Sequence, residues 1–344
     1  MTKKVKVGNF IIGDGYVTVQ SMLNAKTKDA DAVKRQLDEL HSAGCDIARL
    51  AVSDDKEVEL CREYIKYSKM PLVADIQYDY RLAIGCSDVG FAKVRFNPGN
   101  IGSEQNVASL VSACKANNTA IRIGVNGGSL QKDLLSVDDK AEALALSALR
   151  QVEILQKYDF TDIVISAKSS DVLTTVRANR LLRERCEYPL HIGVTESGDV
   201  ADGTINSAIG IGTLLLDGIG DTIRVSLSGE PVEEVYAAKK ILRAVGLRND
   251  YVRIVSCPTC SRCEYDLFNT VKVIKEYAAN YKKPLKVAIM GCLVNGPGEA
   301  ADADFGIAGG KDKAALFVGG KVIKIIKHEE IIPLLKRLID EFNE

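Results

Sequence analysis

The stretch "SCPTCSRC", residues 256 to 263, sets Cys257, Cys260 and Cys263 at even three-residue spacing, and Cys292 follows in "MGCLVNGPGEA". Thiols gathered this closely bind metal. A zinc ion closing a small domain accepts such a set, and so does an iron–sulfur cluster, which takes Cys-x2-Cys with a distant third cysteine. A redox dithiol at "CPTC" would leave Cys292 unexplained. Two glycines around Pro297 permit a sharp reversal that returns Glu299 towards the thiols, so Glu299 and Cys263 compete as fourth ligand. Cys45, Cys61, Cys86, Cys114 and Cys186 are scattered through apolar or helical surroundings and read as small core residues.

A second set of residues points to anion chemistry. Arg49, Asp75, Arg95, Asn97, Arg122, Asn126, Lys168, Glu196, Arg224 and Ser226 each lie in or at the carboxyl half of a short β-branched run. Four arginines and a lysine converging from five strands make a pocket of concentrated positive charge, suited to a diphosphate or a similar polyanion.

The elements that must position these groups are legible as a repeat. β-Branched runs occur at 18–22, 46–52, 72–76, 91–97, 121–126, 162–168, 190–196 and 222–228, with helical segments between them. In one of those segments Leu144, Leu149, Val152 and Leu155 share a face. Eight βα units predict an α/β fold, a (β/α)8 TIM barrel whose strand ends form the mouth. The turns at 97–102 and 126–130 can present backbone N–H groups to an anion. Residues 208–216 lack the third glycine of a dinucleotide fingerprint and the strand before it.

Beyond residue 248 the pattern changes. A strand at 251–256, a helix at 265–281 with Phe268, Val271, Ile274, Ala278 and Tyr281 on one face, and a strand at 285–291 form a βαβ unit. Its parallel strands end on one edge, which brings Cys257 and Cys260 near Cys292. Sheet at 314–326 and a helix from about 329 to 342 complete a smaller α+β domain. The expected division is 1–248 and 249–344.

With 344 residues, 46% hydrophobic and 26% charged, the chain has the composition of a globular protein. A formal charge of −1 gives no whole-protein electrostatic reason to expect nucleic acid or an anionic membrane as partner. The first residues are too short and too glycine-interrupted in their apolar part for a signal peptide, and no run approaches the roughly 18 apolar residues of a spanning helix. A cytoplasmic protein is expected.

The motifs "VADIQYDYRLAI", "RFNPGNIG", "IRIGVNGGSL", "HIGVTESG", "IGDTIRVSLSGEPVEEV", "SCPTCSR" and "MGCLVNGPGEA" run in order over nearly the whole chain. Together they resemble the bacterial 4-hydroxy-3-methylbut-2-enyl diphosphate synthases of isoprenoid precursor biosynthesis. The resemblance implies a TIM barrel followed by a domain with one 4Fe-4S cluster per chain, held by Cys257, Cys260, Cys292 and Glu299, with Cys263 a bystander. A carboxylate is a harder, weaker ligand to iron than a thiolate and would leave one iron open to a substrate oxygen.

The substrate so implied is 2-C-methyl-D-erythritol 2,4-cyclodiphosphate, whose ring is opened, reduced by two electrons and relieved of one hydroxyl as water. By the same resemblance Arg49, Arg95, Arg122, Lys168 and Ser226 hold the diphosphate, with Arg224 nearby. Asp75, Asn97 and Asn126 shape the pocket, and Glu196 donates a proton. Flavodoxin or ferredoxin supplies electrons, and a homodimer is implied. Gln77 departs from the histidine that many relatives carry and cannot titrate near neutrality. Two other readings compete: a zinc-containing, non-redox transferase or lyase on a pterin-binding-type barrel, and an iron–sulfur carrier with the barrel as scaffold.

Overall fold

Side chains that close the first turn of a helix mark the start of seven of the eight barrel helices. Asp29, Asp54, Asp79, Ser103, Asp139, Asp171 and Asp199 each accept a backbone N–H at a helix start, satisfying donors the helix itself leaves unpaired. The computed structural model describes residues 2–76, 79–97, 103–279, 281–293, 298 and 301–343. The chain divides into two compact units, Met1–Leu247 and Arg248–Glu344.

The first unit opens with a hairpin of β1 (Val5–Val7) and β2 (Phe10–Ile12), which the sequence reading did not anticipate. Then come β3 (Thr18–Met22), α1 (Ala30–Ala43), β4 (Ile47–Ala51), α2 (Asp55–Tyr67), β5 (Leu72–Asp75) and α3 (Tyr80–Val89). The repeat continues with β6 (Lys93–Arg95), α4 (Glu104–Asn117), β7 (Ala120–Asn126), α5 (Lys140–Gln156), β8 (Ile163–Lys168) and α6 (Val172–Arg185). It ends with β9 (His191–Ile192), α7 (Val200–Leu216), β10 (Thr222–Ile223) and α8 (Pro231–Ala244). Strands β3 to β10 form one eight-stranded parallel sheet. A parallel bridge between Ile165 and Leu190 joins its two ends, with the Ile165 N–H donating to the Pro189 carbonyl at 2.9 Å. The expected (β/α)8 barrel is the fold.

Period-two alternation sorts the strands into two faces. Leu50, Ala74, Val94, Ile121, Ile123 and Ala167 look outward into the main core with the helices. Ile47, Val73, Ala120 and Val164 look inward at the amino-terminal end, where they cluster with Val5, Val7 and Ile12 of the hairpin. The hairpin therefore stoppers the amino end of the barrel.

The last two strands are shorter than the runs at 190–196 and 222–228 suggested. Immediately beyond β9, a Cβ on Gly193 would stand 2.3 Å from the Arg224 carbonyl oxygen and 2.7 Å from Lys168 Nζ. Gly193→Ala is expected to cost about 1–3 kcal/mol by overpacking, read as a lower thermal midpoint. An unchanged midpoint would show that the two segments separate freely.

In the second unit β11 (Val252–Ser256), α9 (Leu267–Ala278), β12 (Leu285–Met290), β13 (Phe305–Gly309), β14 (Lys313–Val318) and β15 (Lys321–Lys327) precede a final helix, Ile331–Asn343. The sheet order is β11-β12-β13-β14-β15, parallel through β13 and antiparallel after it. Leu267, Ile274 and Ala278 of α9 bury against Val287, Ile289, Ile307 and the final helix's Leu335. Phe268 does not belong to that face: it is 77% exposed, because the buried stripe runs through Leu267 and Phe268 lies about 100° around the helix.

Candidate functional site

Strand register builds the barrel mouth. Asp75 stands opposite Arg95, Arg95 opposite Arg122, and Asn126 opposite Lys168. Arg49, Asp75, Arg95, Arg122 and Lys168 alternate with outward-facing core residues, so all five occupy the inner face. Asp75 bridges two guanidiniums, Arg49 Nη2 at 3.3 Å and Arg95 Nη1 at 3.4 Å. Gly124 is gripped from both sides: Arg95 Nη2 donates to its carbonyl at 3.0 Å, and its N–H donates to Asn97 Oδ1 at 2.9 Å. Asn97 thus orders the backbone of β7.

Arg224, just past β10, donates twice to Glu234 of α8, at 3.3 and 3.0 Å. Glu234 also accepts from Ser21 Oγ at 2.9 Å and from the Leu227 N–H at 3.2 Å. This buried carboxylate carried no role in the sequence reading, though "EPVEEV" was on view. A carboxylate at the first turn of a helix that begins with proline, behind a strand-end arginine, was the available signal.

The cations outnumber their carboxylates. Arg122 is 3% exposed, and its Nε and Nη1 have no hydrogen-bond partner among the described residues. No carboxylate among those residues forms an ion pair with Arg122 or Lys168. Burial, then the charges of Arg49 and Arg95, pushes the Arg122 guanidinium well below its ordinary range. Burial, then Arg122, Arg224 and Arg49, does the same to the Lys168 amine. Burial brings Arg49 down to about 10 against the attraction of Asp75. Burial pushes the Asp75 carboxyl up, yet Arg49, Arg95, Arg122 and Arg224 together hold it below the usual carboxylate range. Such a mouth carries more positive than negative charge among the described residues, an arrangement suited to a polyanion.

Glu196 follows β9 on an exposed turn with φ +52°, the left-handed region a non-glycine residue occupies at a cost. Its neighbours are pinned. The Thr195 N–H donates to the Ser169 carbonyl at 3.1 Å, and Ser197 Oγ donates to the Ser226 carbonyl at 2.6 Å. Ser226 is half-buried on the loop after β10, and Asn126 is half-buried at the end of β7.

The cysteines sit in the second unit. Register pairs Ser256 with Ile289, so Cys257 and Cys292 both leave the carboxyl edge of adjacent parallel strands. Cys257 Sγ accepts the Gly291 N–H at 3.1 Å. A Cβ on Gly291 would stand 3.0 Å from Cys263 Sγ and 3.5 Å from Cys257 Sγ, so both sulfurs converge on the residue before Cys292. Cys260 is exposed, and its carbonyl accepts the Cys263 N–H at 2.9 Å. No group of three potential ligands has converged among the described residues. Glu299, Gln77 and the turn at 98–102 lie outside them. None of the nine cysteines is in a disulfide, and burial pushes the Cys45, Cys61 and Cys114 thiols up to about 12, as for inert core residues.

Residues 2–239 match the GcpE TIM-barrel domain, and residues 253–341 match the GcpE protein C-terminal domain. The chain belongs to the GcpE family. Among proteins similar to this GcpE chain is the 4-hydroxy-3-methylbut-2-en-1-yl diphosphate synthase (flavodoxin) of Clostridium perfringens, 50% identical over 342 residues and 98% of each chain. The protein of the same description from Ruminiclostridium cellulolyticum is 49% identical over 346 residues, covering 100% of this chain and 97% of that one. In fold, the GcpE chain is similar to dihydropteroate synthases. The Yersinia pestis structure with a sulfonamide drug has a TM-score of 0.52 at 11% identity, covering 72% of this chain and 100% of that one. The Xanthomonas albilineans structure has a TM-score of 0.51 at 10% identity, covering 71% and 98%. That likeness is of architecture, and a zinc-dependent transferase or lyase draws no support from it.

Proposed function

We infer that the protein is a flavodoxin-dependent 4-hydroxy-3-methylbut-2-en-1-yl diphosphate synthase that opens and dehydrates 2-C-methyl-D-erythritol 2,4-cyclodiphosphate. The observation that carries this reading is the cationic mouth, with Arg122 and Lys168 buried and unpaired by carboxylate, in a chain that matches GcpE over both units. The names of the relatives give the product and the electron donor.

On this reading Arg49, Arg95, Arg122, Lys168 and Ser226 hold the diphosphate through charge and hydrogen bonding. Asp75 holds Arg49 and Arg95 in place, Glu234 holds Arg224, and Asn97 fixes the backbone beside Arg95. Asn126 lines the same rim. Fixing the diphosphate at one end leaves the carbon that loses its hydroxyl at the open end of the barrel, within the reach of Glu196. Glu196 gives up the one proton the balance requires, and the hydroxyl departs as water.

The thiols of Cys257, Cys260 and Cys292 fit an iron–sulfur cluster in donor type, Cys257 and Cys292 leave the same sheet edge, and the resemblance implies Glu299 as fourth ligand. The backbone N–H already aimed at Cys257 Sγ is the kind of hydrogen bond that tunes a cluster sulfur. A four-iron, four-sulfur cluster would supply the two electrons singly. The homodimeric, cytoplasmic state implied by the resemblance belongs to this proposal. No helix among the described residues is long and apolar enough to cross a membrane.

The test is direct: protein purified without oxygen, given reduced flavodoxin, is expected to convert the cyclodiphosphate to the hydroxymethylbutenyl diphosphate, and no conversion would sink the assignment. Cys263→Ser tests the ligand set separately. It is expected to keep about four irons and four sulfides per chain, because Cys263 is spare despite lying beside Cys257. Loss of metal in that variant alone would make Cys263 the fourth ligand in place of Glu299.

A further inference from the structure

Below the mouth, the inner face of the barrel carries a second polar layer that the diphosphate clamp does not use. Lys93 begins β6 two residues before Arg95 and so faces the same side. Its register partners Val73 and Ala120 belong to the inward cluster over the amino-terminal hairpin. Lys93 is fully buried, and its Nζ has no hydrogen-bond partner among the described residues. On the same inner face, Gln20, the register partner of Ile47, leaves both amide atoms unpaired among the described residues, and His191 likewise leaves Nε2 unpaired, while His191 Nδ1 lies 3.4 Å from Thr222 Oγ1. Arg49 Nε, Arg122 Nε and Arg122 Nη1 are unpaired in the same interior. Each such atom costs about 1–3 kcal/mol, and native interiors keep such groups where a function or an absent partner explains them.

We propose that Lys93 is a positioning residue of the anion site, taking a proton from solvent when a diphosphate settles above it, so that substrate binding is coupled to proton uptake. The inference rests on the diphosphate reading of the mouth. Without ligand, burial and then the charges of Arg122 and Arg49 hold the Lys93 amine well below its ordinary range. Among the described residues, the groups facing this interior are Arg49 on β4, Asp75 on β5, Arg95 on β6, Arg122 on β7, Lys168 on β8, His191 on β9 and Arg224 beyond β10. Glu234 stands behind Arg224. Two carboxylates cannot offset that many cations, so the ligand-free field opposes a further positive charge. A bound diphosphate reverses the sign of that field and favours the ammonium. Protonated, Lys93 adds its charge to the field of Arg49 and Arg122. Because the complex holds more protons than the free protein, affinity rises as pH falls, by about tenfold per pH unit for each proton taken up.

The experiment is calorimetric titration of the cyclodiphosphate into the whole, cluster-bearing protein without reductant, in two buffers of different protonation heat. The unaltered protein is expected to take up a proton on binding. Lys93→Met is expected to lose most of that uptake and about 3- to 30-fold in affinity at pH 7, a difference that shrinks as pH rises. Lys93→Gln gives the same readout should the methionine variant fail to fold. Binding without proton uptake overturns the inference and leaves the diphosphate site standing. So does uptake unchanged in both Lys93 variants but abolished in Lys168→Met or His191→Asn. Absence of binding overturns both readings together.

Discussion

Glu196→Gln is expected to lower turnover by about 10²- to 10⁴-fold while leaving cyclodiphosphate affinity and iron content unchanged. The carboxyl is exposed on a turn of left-handed backbone whose flanks are tied to Ser169 and Ser226. It is therefore held by the fold, with no hydrogen-bond or ion-pair partner of its own among the described residues, and glutamine fits the same turn. What glutamine lacks is a proton to give to the departing hydroxyl. Anaerobic steady-state assay with reduced flavodoxin gives the turnover, and calorimetry gives the affinity. Full activity in this variant would remove Glu196 from the reaction, and a parallel loss of affinity would make it a binding group instead.

Arg122→Met is expected to weaken cyclodiphosphate binding by about 10- to 100-fold, the loss of a charge-assisted hydrogen bond to a buried anion. In the ligand-free protein the same change should leave the thermal midpoint unchanged or raised. Arg122 is buried with two of its nitrogens unpaired among the described residues, and methionine of similar length removes that uncompensated charge without opening a large cavity. Opposite signs in the two measurements would mark a residue retained for binding at the expense of stability. A midpoint lowered by several degrees, with affinity unchanged, would show that the guanidinium is structural and would count against the clamp.

The strands that carry these residues were legible because β-branched runs and a period of two are strong local signals, and strand register sets Arg49, Asp75, Arg95, Arg122 and Lys168 on one face. The two final strands were read too long, since nothing local reveals that Gly193 must pass within contact of the Arg224 carbonyl. Phe268 was assigned to a buried face because apolar character was counted without the one-residue offset to Leu267. Lys93 was in plain view in "FAKVRFN", two positions before Arg95, but a lysine reads as solvent-facing until topology places it inside a barrel. Even spacing made Cys257, Cys260 and Cys263 look equivalent. The structure separates them, setting Cys257 and Cys263 beside Gly291 and Cys260 in solvent, because a tight turn from Cys260 to Cys263 swings the last thiol back towards the sheet.

The amino-terminal hairpin packs its apolar side against Ile47, Val73, Ala120 and Val164 and leaves the barrel open at one end only. A tube would let reactant enter by one door and product leave by another. A cup with a single rim does not: on the proposed clamp, the diphosphate product would vacate the same cations that the next cyclodiphosphate needs, by the path along which that molecule arrives. Product and substrate would then exclude each other, and accumulated product is expected to act as a brake on its own formation.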